Sequence, residues 1–553
     1  MSEPAAVAGD FRNEFHHRLA FLVGATAVTV GVLLHLPMYP GAKDDGYMLT
    51  GMGFDVWMII GMVLIALGFV GVFYGLLPRG AKEKVAGSRE LEVKALDDTR
   101  LARPHLLLMA VLMVAIAVDT QKPFTFTFIL PGVADEYNLS SPSHPAPGQL
   151  PVALFPFIAI IGTVIGSLVW GYLGDRIGRR ATILLAATLF IGTGMCGAMP
   201  AFNYNLAACF IMGASAGGLL PIAYSLLTET IPARRRGQAV VLVAGIGTAI
   251  GFLFASWSAD LIMPHFNWRV MWLLNVPTGL LVILLNRYLP ESPRYLLAHG
   301  RLAEAQQVMR SFGITVVKKR KAAEEPDPHP LIHEPRLSMH RLFRKPWAGI
   351  TLALTAYGLA WGLANFGFLV WLPIHVKSAG VDTGDITAII AKAALFSIPG
   401  AVLVSWLYGR WSSTKTLIAV AAFTAASLGV FIGWGDGIAH HKTVLTTLLV
   451  ILLIAMWGMI SVLAPYGAEV YPTRVRGAGS GIVAGASKFG GVLALALAVF
   501  SVAPPGLAGA ALLAGIPAAL AALMLIAFGI ETRGRRLEEI TRAELASVEG
   551  ASA

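Results

Sequence analysis

The sequence predicts an all-α polytopic membrane protein with fourteen spans: two extra helices at the N-terminus, then two copies of a six-helix unit. Three observations carry this reading. Residues of the set AVILMFWYC make up 56% of the 553-residue chain and charged residues 13%, with a mean hydropathy of +0.68. A water-soluble domain has about 25% charged residues, so this much apolar surface cannot all turn inward in water. Apolar runs long enough to cross a hydrocarbon layer, about 20 residues each, recur fourteen times. Two motifs recur at one sequence offset, the mark of a duplication. Intrinsic disorder, a disulfide-stapled secreted scaffold and an ordinary cytosolic enzyme are excluded together.

The first two spans cover 18–37 and 54–78. The first run is long for the apolar region of a signal peptide and has no small-x-small site before a sensible mature start, so it reads as a retained span. In the polar stretch 79–103, residues 84–103 mix charges of both signs and are expected to form a short interfacial helix. Six spans follow, at 104–131, 152–174, 181–200, 206–230, 238–261 and 267–289. The polar segment 290–345 comes next. Its residues 295–312 have apolar positions at helical spacing and predict an amphipathic helix. Residues 318–336, with four prolines and charges of both signs, predict no fixed structure. The basic run 318–321 suits topology or a lipid-facing patch rather than nucleic acid. Six further spans run 346–375, 383–408, 414–434, 444–468, 475–500 and 504–530, and a polar tail ends the chain. The expected domains are therefore an N-terminal helix pair (1–80), a linker (81–103), a first six-helix bundle (104–289), a cytoplasmic loop (290–345), a second bundle (346–530) and a tail (531–553). Cys196 and Cys209 fall inside spans, where they read as packing residues and not as a metal site or a disulfide framework.

Orientation follows from Lys and Arg, which concentrate on the cytoplasmic side. With a cytoplasmic N-terminus, 35 of the 42 basic residues lie in inner segments and four, Lys43, Arg269, Lys377 and Lys442, in outer ones. Both termini are then inside. The net charge of +10 sets topology and does not call for a nucleic-acid partner.

The repeat is read from two separated pairs. Glu229-x-x-Pro232-x-Arg234-x-Arg236-Gly237 matches Glu469-x-x-Pro472-x-Arg474-x-Arg476-Gly477, and Glu291-Ser292 matches Glu531-Thr532, both at an offset of 240 residues. Between the second and third core spans lies Gly171-Tyr-Leu-Gly174-Asp175-Arg176-Ile-Gly178-Arg179-Arg180. It resembles the loop motif of the major facilitator superfamily. The stretches Pro290-Glu291-Ser292-Pro293-Arg294 and Glu531-Thr532-Arg533-Gly534-Arg535 resemble elements of its sugar-porter and organic-ion (metabolite:proton symporter) branches. The resemblance covers 104–540 and implies the major facilitator fold of two six-helix repeats, with a substrate site between them and transport by alternating access. It leaves the two extra helices unaccounted for. Near Gly409 and Arg410 the second copy of the loop lacks the aspartate.

The loop residues have a reading of their own. Gly174 and Gly178 permit a tight turn at Asp175, and Arg179 and Arg180 are expected at the cytoplasmic surface. Glu229 and Glu469 end the fourth and tenth core spans. Each is expected to pair with a nearby arginine and a helix N-terminus when the inner ends pack together. The expected gating set is Asp175, Arg176, Arg179, Arg180, Glu229, Arg236, Glu291, Arg294, Glu469, Arg476 and Glu531.

Ionisable groups within a membrane are costly and usually functional. Asp119 and Lys122 lie three apart in the first core span and share a face. Lys392 and Lys488 have apolar flanks in the eighth and eleventh core spans. In the facilitator fold these spans border the cavity, so its excess of cations favours an anion. Asp119, the lone carboxylate deep in a core span, is the candidate proton carrier. Tyr357, Trp361 and Asn365, spaced about one turn apart, and Tyr224 complete the expected substrate contacts. Phe366, Trp457 and Tyr466 lie on the same or neighbouring spans.

The expected function is a proton-coupled secondary transporter of a small organic anion. The partners are its substrate, protons and membrane lipids, with no cofactor and no nucleic acid; the oligomeric state is open. A sugar or polyol carrier is the runner-up, weakened because the glutamine-rich motifs of sugar porters are missing from spans five and seven. A drug exporter and a non-transporting sensor of the same fold are further alternatives. No Gly-rich phosphate loop, metal-ligand cluster or nucleophile motif points to an enzyme.

Overall fold

The computed structural model describes residues 17–77, 91–95, 101–141, 146–318, 342–471, 476–500 and 506–533. Among them are fourteen helices long and apolar enough to cross a membrane. The extra pair is α1 (Arg18–Gly41) and α2 (Val56–Leu76). The first six core helices are α3 (Arg103–Glu136), α4 (Leu154–Ile177), α5 (Arg179–Ala198), α6 (Phe202–Thr230), α7 (Arg235–Phe266) and α8 (Val270–Tyr288). The second six are α9 (Ala348–Lys377), α10 (Gly384–Arg410), α11 (Ser413–His440), α12 (Lys442–Val470), α13 (Gly479–Val499) and α14 (Leu507–Phe528). The fourteen expected spans are all present, with ends that differ by a few residues.

The chain divides into two compact units, one of residues 1–233 and 250–318, the other of 234–249 and 319–553. The first turns of α7 thus cluster with the second unit and the rest of that helix with the first.

In the first unit, α1 and α2 form an antiparallel pair held by glycines at seven-residue spacing: Gly24 and Gly31 on one helix, Gly61, Gly68 and Gly75 on the other. A Cβ placed on Gly24 would lie 2.6 Å from the Gly68 carbonyl oxygen, and one on Gly31 would lie 2.6 Å from that of Gly61. Small residues let helix backbones approach in lipid, where no hydrophobic force drives them together. The pair packs on the core through Val28, Val32 and Ile65, which meet Ile191 of α5 and Val276 of α8. This places the two helices that the family resemblance left aside.

The linker corrects one expectation. Residues 91–95 form not a helix but a strand, β1 (Leu91–Ala95), antiparallel to β2 (Ile314–Lys318). The sequence Leu-Glu-Val-Lys-Ala alternates apolar and polar residues with period two, which suits a strand better than a helix face. The flanking residues 84–90 and 96–100 lie outside the described residues, as do 319–336. The single amphipathic helix expected over 295–312 is two helices, Pro293–Ala298 and Leu302–Phe312. Gly300 separates them at φ +73°, and Gly313 closes the second at φ +64°, a left-handed conformation that glycine adopts without strain.

In the second unit, α9, α12, α13 and α14 share one apolar core around Tyr357, Leu463, Tyr466 and Leu525. Midway, α9 changes its winding: Leu363–Leu369 is π-helical, and the Val370 amide donates to the Asn365 carbonyl five residues back, at 3.2 Å. Such segments are rare and frequent at functional sites.

Candidate functional site

The two copies of the repeat build the same device at corresponding ends of their helices. In the first unit, Glu291 accepts from the Arg179 amide at 2.7 Å and the Arg180 amide at 3.2 Å, capping the start of α5. The adjacent Ser292 hydroxyl donates to Glu229 at the end of α6. In the second unit, Glu531 accepts from the Ser413 amide at 3.0 Å, capping α11, and from the hydroxyls of Ser412 and Ser413. The adjacent Thr532 hydroxyl donates to Glu469 at 2.8 Å. A carboxylate at a helix N-terminus satisfies orphan amides and meets the positive end of the helix dipole. Burial pushes the Glu531 carboxyl up, but the hydroxyl bonds from Ser412 and Ser413 outweigh it and hold it below the usual range. Tyr295, beside Glu291, is pushed up to about 12, first by burial and then by that carboxylate.

Several gating residues sit otherwise than expected. The helix N-termini are taken by Glu291 and Glu531, not by Glu229 and Glu469. Arg180 is not at the surface but buried, with its Nε 2.6 Å from Asn286 Oδ1. Arg179 spans its own turn, donating to the Gly174 carbonyl and, at 2.7 Å, to Asp175. Arg176 stacks on Tyr172, 4.3 Å from the ring centroid, and Arg294 is exposed. Glu469 also accepts from the Tyr408 hydroxyl at 2.7 Å and feels the Arg236 charge. A Cβ on Gly237 would collide with its carboxylate. The side chain of Arg476, at the start of the helix leading into α13, lies outside the described residues, as do Arg474 and the tail beyond Arg533.

In the interior of the first unit, Asp119 and Lys122 are buried. Lys122 donates to Ser215 Oγ of α6 at 2.7 Å and lies 3.4 Å from the centroid of the Phe190 ring on α5. Asp119 is within electrostatic reach of both Lys122 and Tyr224. Three predicted residues thus share one charged cluster.

In the second unit, Tyr357, Trp361 and Asn365 line one face of α9, four residues apart. The Tyr357 hydroxyl, Trp361 Nε1 and Asn365 Oδ1 are all buried, and none has a hydrogen-bond partner among the described residues. Native buried polar atoms are nearly always bonded. Phe366 meets Trp361 edge-on at 6.4 Å. Tyr466 is committed within the fold, its hydroxyl donating to the Ile530 carbonyl at 2.7 Å and accepting from the Ile530 amide at 2.9 Å. Trp457 is buried in α12. On the adjoining face, Gly358 and Gly362 bring α9 close against α13: a Cβ on Gly358 would lie 3.1 Å from the Ser487 amide nitrogen. Lys488, the next residue, is half-buried. On its side of α13, Gly481 and Gly485 border open space. Lys392 stands apart, exposed in a groove between α10 and α12.

One constellation escaped sequence reasoning. Glu136 ends α3 and meets Arg269, between α7 and α8, at 2.7 Å with both side chains buried. Glu136 also accepts from the Leu49 and Thr50 amides at 2.8 and 3.2 Å, from the Thr50 hydroxyl, and from Trp268 Nε1 at 2.9 Å. Arg269 donates to the carbonyls of Gly197 and Met199, each at 2.9 Å, and to the Tyr137 hydroxyl at 3.1 Å. Burial opposes the charge of Arg269, yet its partnership with Glu136 leaves its pKa raised. The loop between the extra helices is thereby tied to three core segments. An acidic residue beside the aromatic at the end of a span, and an Arg after a Trp in the short connection between α7 and α8, were the available signals.

Fourteen apolar helices with a twice-built carboxylate device define an integral membrane protein made of a repeated helical unit. The family model for the Major Facilitator Superfamily matches residues 107–495, and the chain belongs to that superfamily. It is therefore a membrane transporter and not an enzyme. Among curated relatives, the niacin transporter NiaP of Acinetobacter baylyi is 29% identical over 397 residues, covering 69% of this chain and 86% of the relative. The putative metabolite transport protein YdjK of Escherichia coli is 27% identical over 405 residues, covering 70% and 85%. Among solved structures, the proton:xylose symporter XylE bound to 6-bromo-6-deoxy-D-glucose superposes with a TM-score of 0.61 at 21% identity. The match spans 80% of this chain and 99% of that one, a likeness of fold.

Proposed function

We propose that the protein carries a small organic anion across the membrane by alternating access, coupled to protons. The observation that carries this reading is the face of α9. Three buried polar atoms, on Tyr357, Trp361 and Asn365, lack partners among the described residues, and a bound solute supplies them. Two are donors and one an acceptor, a set that fits a small planar molecule with its own acceptors and donor. Lys488, on the helix packed beside this face, gives the site its preference for negative charge. The niacin transporter of Acinetobacter baylyi, named for a small aromatic carboxylate, supports the same class.

In this reading Asp119 carries the proton, with Lys122 and Tyr224 setting the field around it. Glu229 and Glu469, held by the hydroxyls of Ser292 and Thr532, belong to the inner gate with Asp175, Arg179, Arg236, Glu291 and Glu531. The cycle releases and remakes their bonds. Both termini face the cytoplasm.

Uptake into proteoliposomes under an imposed pH gradient tests the proposal. A gradient-driven flux of aromatic carboxylates is expected. It should be lost in Lys488→Ala and weakened roughly tenfold in affinity in Tyr357→Phe, about 1.4 kcal/mol. Both variants should keep the wild-type melting temperature. Flux indifferent to the gradient and to Lys488 would overturn the anion symport, and competition by neutral hexoses instead of carboxylates would favour the polyol reading.

A further inference from the structure

Of the three lysines inside spans, Lys122 is buried, Lys488 half-buried and Lys392 exposed. The outward stripe of α10 below Lys392 is otherwise apolar: Leu395, Phe396, Val402, Leu403 and Trp406 are each 40–63% exposed. A stripe of this kind faces acyl chains. Lys392 lies eight residues into a helix of 27 residues. At 1.5 Å per residue that is about 12 Å along an axis of about 40 Å. Centred on a hydrocarbon layer of about 30 Å, the helix holds the Lys392 backbone roughly 7 Å below the layer's edge. A cation there needs a counter-charge or a route to the headgroups.

The groove beside it supplies the shape. Helices α10 and α12 are close at Gly400, whose added Cβ would meet Ile454, and at Gly458, whose added Cβ would lie 3.2 Å from Val404. Toward their other ends they leave a groove of about 520 Å³. Its rim is bridged by Lys442 and Asp385, 2.7 Å apart. Lys392 lies within, and Phe396, Val450 and Ile451 form its apolar floor. The Thr446 and Thr447 hydroxyls donate to their own helix, to the carbonyls of Lys442 and Thr443 at 2.7 and 2.9 Å. Charge, not a set of hydroxyl donors, therefore distinguishes the groove. Two lysines against one aspartate leave it a net positive charge.

We propose that this groove between α10 and α12 is a binding site for an anionic phospholipid. The headgroup phosphate meets Lys392 below the rim, and an acyl chain runs over Phe396, Val450 and Ile451. A zwitterionic lipid brings its own cation and leaves Lys392 uncompensated, so the site selects for net negative charge.

The test uses the full chain purified in a neutral detergent and supplemented with phosphatidylglycerol or phosphatidylcholine. Phosphatidylglycerol is expected to raise the melting temperature of the wild type by at least about 2 °C, with a retained lipid visible by native mass spectrometry. Phosphatidylcholine should not. In Lys392→Met, which continues the apolar stripe and keeps the lipid-free melting temperature, both effects should vanish while the substrate KM stays unchanged. Should Lys392→Met fail to fold, Lys392→Gln decides by the same two readouts. An equal phosphatidylglycerol shift in Lys392→Met overturns the site, and so does an equal shift by phosphatidylcholine. If inorganic phosphate or a short-chain carboxylate reproduces the effect, or Lys392→Met raises the KM, the groove serves a soluble anion and the lipid site is refuted.

Discussion

Glu136 shows what a single residue can hold. Its carboxylate gathers two amides, a hydroxyl, an indole and a guanidinium from two distant parts of the chain. Removing one partner of a buried ion pair strands the other charge, at a cost of roughly 3–5 kcal/mol. Glu136→Gln is therefore expected to lower the melting temperature markedly and to expose the loop at residues 42–55 to protease, both readable on the purified protein. Double substitution of Glu136 and Arg269 by apolar residues of similar size should cost less than either single change. At this scale the sequence was partly legible. Tyr357, Trp361 and Asn365 stood out because polar groups one turn apart in an apolar span have few reasons to be there. Glu136 did not, because its partner Arg269 is 133 residues away and no local spacing links them. Arg180 was misread for a related reason: its acceptor, Asn286, ends a helix 106 residues on.

Among the elements, the extra helix pair is the one whose packing the sequence left open. Length and hydropathy revealed both helices, since a 20-residue apolar run has few alternatives, but not the surface they occupy. The seven-residue glycine spacing was there to be read and predicts close contact between the two. A Cβ on Gly68 would lie 2.7 Å from both the Gly24 carbonyl oxygen and Val28 Cγ2. Overpacking of this kind costs about 1–3 kcal/mol. Gly68→Leu is thus expected to separate the helices and lower thermal stability, whereas the same change at Gly53, whose added Cβ would meet nothing within 4 Å, should be silent. The linker strand was hidden for a different reason: Leu91–Ala95 pairs with a partner some 220 residues later, and a five-residue alternation is weak evidence for either conformation.

For the whole molecule, the span count came straight from the sequence because the bilayer demands it: every backbone polar group in hydrocarbon must be satisfied within a helix or a closed barrel. The duplication was equally plain, and the structure gives it chemical content. One carboxylate–hydroxyl–carboxylate unit is built twice, although Ser412 and Ser413 replace the Gly178 and Arg179 of the first copy. Orientation rests on the asymmetry of basic residues and is open to direct measurement. Cys196 and Cys209 are both fully buried, so the wild type should resist an impermeant maleimide. With both replaced, a cysteine at Lys43 should label in intact cells, and one at Arg410 only after permeabilisation. The reverse pattern would invert the topology.

The π-helical stretch of α9 has an arithmetic consequence. Each residue of an α-helix turns the chain by about 100°, so a turn that holds one extra residue rotates everything beyond it by nearly a third of a circle. Tyr357 and Trp361 lie before that shift, Asn365 within it and His375 beyond it. The two ends of α9 therefore keep different angular phases, and a helical wheel drawn through the whole span misassigns one of them. The same surplus residue leaves the Asn365 carbonyl bonded one position late. The helix carries, at the level of the polar face, a register it could lose or regain by a single residue.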